Sequence, residues 1–126
     1  MKLTAITSTL IILAPVAMAS DISVCQSKSL QIVAAIEKFC SKTNMVVPSW
    51  YAHVGATVGD RSVWIEGAPH QTCNPPQWVP QEYCRSQLFH VCAGGTKEGF
   101  GYAYYGAGNS KCQVFTIQSK EYHGTQ

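Results

Sequence analysis

The sequence predicts an α+β domain, an αβ sandwich in which an antiparallel sheet of four to five strands is covered by two helices and stapled by disulfides. Three observations support this prediction: two segments with helical spacing of apolar residues, two pairs of strand-like segments, and six cysteines that follow a leader-like N-terminus. The order helix, strand, strand, loop, helix, strand, strand is typical of an antiparallel sheet covered by helices.

The first nineteen residues have the order of a secretory signal peptide. Lys2 is followed by an apolar run that is short for a membrane span and by an Ala-x-Ala cleavage site ending at Ala19. We therefore expect residues 1–19 to be removed and residues 20–126 to form a single secreted cysteine-rich domain of 107 residues. Its eight Lys and Arg and seven Asp and Glu are scattered singly, so no basic stripe suggests a nucleic-acid partner.

Six cysteines in an exported chain predict three disulfides and no free thiol. Each bridge contributes roughly 2–4 kcal/mol, chiefly by restricting the unfolded chain. A domain of this size needs that contribution because it buries only about two thirds of its unfolded surface. The spacing leaves the pairing open. The six are Cys25, Cys40, Cys73, Cys84, Cys92 and Cys112.

The first half of the mature chain predicts a helix and a hairpin. Apolar residues recur at helical spacing from Ile32 to Cys40 behind Ser29, a suitable N-cap. Residues 50–58 alternate as in a strand, and Gly59-Asp60 joins them to a second strand that ends near Glu66. The proline-rich stretch 68–80 is predicted to be an irregular loop pinned through Cys73.

The second half predicts another helix and two more strands. The stretch "QEYCRSQLFHVCAGG" has helical spacing and ends in two glycines that favour a left-handed helix end. Strands are predicted at about 99–105 and 112–118, with a turn at 106–110. Because residues 112–119 carry no charge, they are our candidate for a free sheet edge.

The stretch "GFGYAYYGAG" sets four rings among small residues. Strand alternation places Phe100, Tyr102 and Tyr104 on one face and Tyr105 on the other. Rings in register commonly fill a core, so we expect at least two of these three to do so. If helices cover the three-ring face, Tyr105 and the glycine turn remain to meet a ligand. If helices cover the opposite face, the rings form a platform.

Acid–base groups on the hairpin raise the possibility of a small ribonuclease. Glu66 and His53 would act as base and acid, and Arg61 would hold the phosphate. The alternative is a polar face of a half-buried hairpin, and the local motifs of small fungal guanyl-type ribonucleases are absent here. No nucleophile motif occurs, and the histidines lack metal-ligand spacing, so we expect no enzyme, no cofactor and no metal.

Four stretches carry a resemblance to a known family: "IEKFC", "VVPSWYAHVG", "LFHVCAGG" and "GFGYAYYGAGNSKCQVFTI". With the leader and the cysteine placement, they resemble the small secreted cysteine-rich fungal proteins of the glycan-binding protein Y3 family. The resemblance implies a helix and sheet sandwich, dimers that join two sheets edge to edge, and recognition of an oligosaccharide without catalysis. Fungal killer-toxin-like and effector proteins share the same size and plan.

The leading hypothesis is a secreted, lectin-like protein that binds an oligosaccharide or a glycoprotein glycan, with a homodimer through an edge strand as a further expectation. The alternatives are an effector or killer-toxin-like protein-binding module and a ribonuclease. Trp78, in the proline-rich loop, is expected to be partly exposed. Rings are expected to stack on the sugar, and His53, Asp60 or Glu66 to accept or donate hydrogen bonds. The candidate contacts are Trp50, Tyr51, His53, Asp60, Trp64, Tyr102, Tyr104 and Tyr105.

Overall fold

The computed structural model describes residues 18–124. The predicted leader lies almost entirely outside this range, and helical residues 18–28 (α1) run through its expected cleavage site. The first half continues with α2 (Leu30–Cys40), β1 (Val46–Val47), α3 (Trp50–Val54), β2 (Ala56–Val58) and β3 (Arg61–Gly67). The second half consists of β4 (Gln77–Trp78), α4 (Gln81–Gly94), β5 (Gly101–Tyr105), β6 (Gln113–Ser119) and α5 (Lys120–Gly124).

The main sheet has four antiparallel strands in the order β2-β3-β6-β5, and β1 pairs with β4 in a separate two-stranded ribbon. The predicted hairpin is confirmed, since Ala56 pairs with Val63 across the turn at Gly59-Asp60. Gly59 has a φ of +62°, and a Cβ there would lie 2.3 Å from the Gln31 side chain. The α+β class predicted from the sequence is therefore correct.

Two helices cover one face of the main sheet, here called the inner face. α2 packs over β2 and β3, and α4 packs over β5 and β6. The predicted N-cap of α2 is confirmed, because the Ser29 hydroxyl accepts from the Ile32 N–H at 3.2 Å. Between helices and sheet lies the core, whose large members include Ile32, Ile36, Phe39, Val63, Ile65, Leu88, Phe89, Phe115 and Ile117.

All six cysteines lie within the described range and are paired in three disulfides. Cys25–Cys92 joins α1 to α4, and Cys40–Cys84 joins the end of α2 to the first turn of α4. Cys73–Cys112 joins the proline-rich segment to the start of β6. The predicted count is confirmed, and the pairing shows that two of the bridges clamp the helical layer.

The prediction of a strand over residues 50–58 is wrong in its first half. Trp50–Val54 forms α3, because the Ser49 hydroxyl caps it by accepting from the Ala52 N–H at 3.0 Å. Gly55, with a φ of +64°, ends it. Alternation over only five residues also fits a single helical turn and a half, so the cap decides the outcome.

The uncharged segment 112–119 is not a sheet edge. It forms β6, which lies between β3 and β5. Its lack of charge reflects burial, because Phe115 and Ile117 are fully buried and Val114 nearly so. Among the described strands, the edges of the main sheet are β2 and β5.

Three smaller differences concern segment ends. The proline-rich stretch contains the two-residue strand β4, and α5 was not predicted. α4 ends at Gly94 without a left-handed glycine, since Gly95 has a φ of −82°. Instead, the Lys28 ammonium donates to the carbonyls of Cys92, Ala93 and Gly95 at 2.8–3.2 Å and caps the helix. None of the helices within residues 18–124 has the length and apolar character to cross a bilayer.

Candidate functional site

The face of the main sheet away from α2 and α4, here called the outer face, carries exposed tyrosines. Strand register places Trp64, Thr116 and Tyr102 in one row, and Glu66, Val114 and Tyr104 in the next. Each row crosses three strands and is therefore about 10 Å wide. Tyr102 is 66% exposed and Tyr104 38% exposed, with their rings edge to face at 5.9 Å.

The structure decides the question that the alternation of "GFGYAYYGAG" left open. Helices cover the face that bears Ala103 and Tyr105, and Tyr105 packs edge to face on Phe115 at 4.9 Å. Of the three rings in register, only Phe100 packs against the core. The expectation that at least two of them fill the core is wrong, because the helices cover the face with small residues, where they can approach closely.

A cleft of about 390 Å³, here called the aromatic cleft, opens between α3 and the end of β3. α3 presents Trp50 and His53 on the same side, three residues apart, with ring centroids separated by 5.9 Å. Trp50 is 78% exposed. The lining consists of Pro48, Ser49, Trp50, His53, Glu66 and Gly67. The cleft thus combines an exposed indole with an imidazole and a carboxylate.

Beside the cleft, Trp64 is buried and fixes the Glu66 carboxylate. Its Nε1–H donates to Glu66 Oε2 at 2.6 Å, while Glu66 Oε1 has no hydrogen-bond donor within residues 18–124. The His123 ring stacks on Trp64 with centroids 4.0 Å apart, and His123 Nε2 lies 2.9 Å from the His53 carbonyl oxygen. The arrangement fixes the position of the carboxylate through one oxygen and leaves the other without a protein donor in the described part of the chain.

Five of the eight predicted contacts lie on this side of the molecule: Trp50, His53, Trp64, Tyr102 and Tyr104. Trp64 is buried and contributes by holding Glu66. Glu66 itself was predicted only as a hydrogen-bonding partner and as the base of a ribonuclease.

The other three predicted contacts lie elsewhere. Tyr51 lies under the Lys42 ammonium at 4.9 Å, and burial, with a further contribution from Lys38, lowers the pKa of Lys42. Asp60 is in the hairpin turn and pairs with Arg61 at 2.6 Å. Tyr105 is on the inner face, so it is absent from the outer-face surface.

The predicted ribonuclease residues are only partly brought together. His53 and Glu66 line one cleft, as that hypothesis requires. Arg61 is five strand residues from Glu66, a distance of about 17 Å, and strand alternation turns it to the opposite face. Its guanidinium lies 4.8 Å from the centre of the Phe100 ring and is paired with Asp60. The cleft therefore lacks the arginine that would hold a phosphate.

Sequence reasoning missed a larger cavity of about 580 Å³, here called the amide groove. It lies between the first turns of α4, strand β4 and the turn that follows β5. Trp78 and Tyr83 form exposed walls, which confirms the expectation for Trp78. The full lining is Gln77, Trp78, Val79, Pro80, Tyr83, Gln87, Gly106, Ala107 and Gln113.

The Gln77 carboxamide organises the amide groove. Its Oε1 accepts from the Ala107 N–H at 3.1 Å and from Gln113 Nε2 at 2.9 Å. Because a backbone N–H can only donate, this bond identifies the Gln77 oxygen. A Cβ on Gly106, whose φ is +132°, would lie 3.1 Å from that oxygen. Gln77 and Gln113 were not predicted as site residues because they are neutral and far apart along the chain. Among the features of this groove, only Trp78 and the glycine turn were singled out from the sequence.

Comparison with protein-family models, curated proteins and solved structures finds no match for this chain. Within residues 18–124, no group of three or more His, Cys, Asp or Glu side chains is arranged to hold a metal ion.

Proposed function

We propose that this protein is a secreted, non-enzymatic glycan-binding protein whose site extends from the aromatic cleft across the outer face. The observation that carries the proposal is the 78% exposed Trp50 indole in one cleft with Glu66 and His53. A flat indole packs on the apolar face of a sugar ring, while carboxylate and imidazole groups hydrogen-bond its hydroxyls. Both kinds of contact are available here within one concave surface.

The character of the exposed apolar residues supports a sugar ligand. Among the described residues, seven of the ten exposed large apolar side chains are Trp or Tyr. Tyrosine and tryptophan combine a flat apolar face with a hydrogen-bonding group, as a hydroxyl-rich ligand requires. The same residue types are enriched at protein interfaces, so the glycan array, and not this composition, separates the lectin from the effector alternative.

The outer face also provides for more than one sugar ring. Tyr102 and Tyr104 are two strands away from Trp64 and Glu66, about 10 Å across the sheet. Thr116, which is partly exposed, lies between the two groups. This spacing suits an oligosaccharide that contacts the cleft at one end and the tyrosines at the other.

Dimerisation through a sheet edge remains part of the proposal, with β5 in place of β6. β5 is an edge of the main sheet and its sequence, GYAYY, carries no formal charge. Such an edge lacks the lysines and prolines that oppose edge-to-edge pairing. Pairing of two β5 edges would place two weak glycan sites on one dimer, which raises its avidity for a surface that carries glycans.

A glycan array with the refolded mature chain tests the proposal. The wild type and Tyr51→Ala should bind the same glycans, whereas Trp50→Ala should bind at least about tenfold more weakly. Tyr51 is the matched control because it is the neighbouring aromatic residue on α3 and contacts Lys42. Absence of binding by folded wild-type protein at high concentration would contradict the proposal.

The ribonuclease hypothesis stays as a second candidate because His53 and Glu66 share the aromatic cleft. An RNA-cleavage assay that compares the wild type with Glu66→Ala decides it. Cleavage by the wild type that is lost in Glu66→Ala would favour the enzyme. No cleavage, or equal rates in both proteins, excludes Glu66 as the base.

A further inference from the structure

We propose that the amide groove is a second saccharide site, selective for neutral sugars, so that a single chain can bridge two glycans. The inference rests on the proposed function only in that both sites bind sugars. The second site is separate from the aromatic cleft and takes a different class of sugar. Because both sites are on one chain, that chain can bridge two glycans without forming a dimer. The experiment below distinguishes failure at one site from failure at the other.

The lining of the amide groove indicates an uncharged ligand. Its nine residues include no Asp, Glu, Lys, Arg or His. By contrast, the aromatic cleft contains the Glu66 carboxylate and the His53 imidazole. Since an ion placed in a groove with no countercharge loses hydration without compensation, the amide groove favours a ligand without formal charge.

The contacts that the amide groove offers are those that a sugar ring uses. Trp78 and Tyr83 are both more than half exposed and come from two different elements, β4 and α4. Gln87 follows Tyr83 by four residues on α4 and therefore lies on the same side of the helix. Rings for stacking thus lie beside carboxamides, which both donate to and accept from hydroxyl groups.

The Gln77 carboxamide is oriented before a ligand arrives. Its oxygen is held by Ala107 and Gln113, while its NH₂ group has no protein acceptor within residues 18–124. The Cys73–Cys112 disulfide ties the segment before Gln77 to the residue before Gln113. Fixing polar groups in this way lowers the entropic cost of binding, so the amide groove is prepared for a ligand with hydroxyl acceptors.

The two sites lie close together at one end of the sheet. Gly67 lines the aromatic cleft and Gln113 lines the amide groove, and these two residues pair directly between β3 and β6. Glu66 is on the outer face, whereas Gln113 shares the inner face with Phe115. The Glu66 carboxylate of the cleft and the Gln113 carboxamide of the groove therefore lie on opposite faces of the main sheet.

The three tryptophans allow each site to be followed separately. Trp50 lies in the aromatic cleft, Trp78 in the amide groove, and Trp64 is buried. We would titrate ¹⁵N-labelled protein with the neutral trisaccharides maltotriose, mannotriose and chitotriose, and record indole and side-chain NH₂ signals. The expected result is a saturable shift of the Trp78 indole and of the Gln77 and Gln113 amides with at least one trisaccharide.

Two variants separate ligand contact from structural support. Gln77→Glu keeps an oxygen acceptor for Ala107 and Gln113 but removes the free NH₂ donors, and it should weaken groove binding by about three- to tenfold. Trp78→Ala should weaken groove binding by at least about tenfold and leave the Trp50 response unchanged. Trp50→Ala is the reciprocal control, since it should leave the Trp78 response unchanged.

Each result at the two indoles decides one of the proposals. If Trp50 responds and Trp78 is silent with all three trisaccharides at millimolar concentration, the second site is refuted and the proposed function stands. If only Trp78 responds, the second site stands and the aromatic cleft does not bind these neutral trisaccharides. A groove that responds to a proline-rich peptide and to no trisaccharide is a peptide site, which overturns this inference.

Bridging is tested with beads that carry the trisaccharide to which both indoles respond. Wild-type protein that light scattering shows to be monomeric should aggregate the beads. Trp50→Ala and Trp78→Ala should each still bind single beads without aggregating them. Aggregation that persists in both variants, or that requires dimeric protein, would refute bridging by one chain.

Discussion

The imidazole of His123 lies flat against the indole of Trp64, with ring centroids 4.0 Å apart and planes 14° apart. The short helix α5 thereby covers Trp64, which is 1% exposed although it is on the outer face of the sheet. Through the 2.9 Å contact between His123 Nε2 and the His53 carbonyl oxygen, α5 also contacts α3. The end of the described chain therefore helps to shape the aromatic cleft.

Replacing His123 tests this coupling. His123→Ala should expose Trp64, shift its fluorescence to longer wavelength, and lower the free energy of unfolding by about 0.5–1.5 kcal/mol for the lost ring pair. His123→Phe is the control, because it keeps a ring on Trp64 and loses only the contact with His53. Fluorescence and urea unfolding that are identical in the wild type and His123→Ala would show that α5 does not hold Trp64.

Glu66 is expected to support both the fold and ligand binding, and two substitutions separate these roles. Glu66→Leu leaves the Trp64 Nε1–H without its acceptor and should destabilise the protein by about 1–3 kcal/mol. Glu66→Gln offers an oxygen to the same indole and should be nearly as stable as the wild type, but its affinity for glycan should fall because the carboxylate is gone. Urea unfolding and glycan titration measure the two effects. Equal stability of both variants would contradict the structural role.

Lys28 is expected to stabilise the end of α4. Lys28→Met keeps much of the aliphatic chain but removes the donors to the Cys92, Ala93 and Gly95 carbonyls, and should cost about 1–2 kcal/mol. Lys97→Met, at an exposed site, is the matched control for the loss of one positive charge. Thermal unfolding of both variants provides the measurement, and an equal effect of the two substitutions would rule out the cap.

Stability should fall at alkaline pH because of Tyr105. Burial, with a smaller contribution from Asp21, raises the pKa of Tyr105. The neutral phenol is therefore favoured in the folded state, and its contribution is fully present below the unfolded-state pKa of about 10 and lost as the pH rises through the folded-state value. Tyr105→Phe should flatten this alkaline decline in urea midpoints. A decline that is equally steep in Tyr105→Phe would refute the assignment.

The disulfides should differ in what they protect. Removing Cys73–Cys112 or Cys25–Cys92 by paired alanine substitutions should lower the free energy of unfolding by roughly 2–4 kcal/mol in each case. Cys112 lies beside Gly106 in the amide groove, whereas neither Cys25 nor Cys92 is next to a residue that lines it. Only the loss of Cys73–Cys112 should therefore change the Trp78 indole signal of the folded protein. Equal changes of that signal in both variants would show that the groove is not held locally.

Local sequence signals were reliable where one physical preference dominates. The spacing behind Ser29, the Gly59-Asp60 turn and the spacing after Pro80 each correctly indicated a helix or a hairpin. An even number of cysteines also indicated three disulfides correctly. These features depend on interactions between residues close in the chain, or on a simple count.

Alternation wrongly assigned Trp50–Val54 to a strand, although the local cap by Ser49 makes it the helix that presents Trp50 and His53. Features that depend on distant residues were not available from the chain alone. Alternation sorted the rings near residue 102 into two faces but left open which face the helices cover, because that depends on how α4 packs on β5.

The order of residues along the chain by itself predicted an α+β fold held by three disulfides, since apolar periodicity and cysteine count report directly on backbone conformation and cross-linking. Packing decided the rest. It buried the uncharged segment 112–119 at the centre of the sheet, and it brought Gln77 to Gln113 across 36 positions of sequence. The physical reason is that burial and long-range hydrogen bonds depend on which elements pack against each other. The residue pattern along the chain shows which residues are capable of such packing but not which elements pack together.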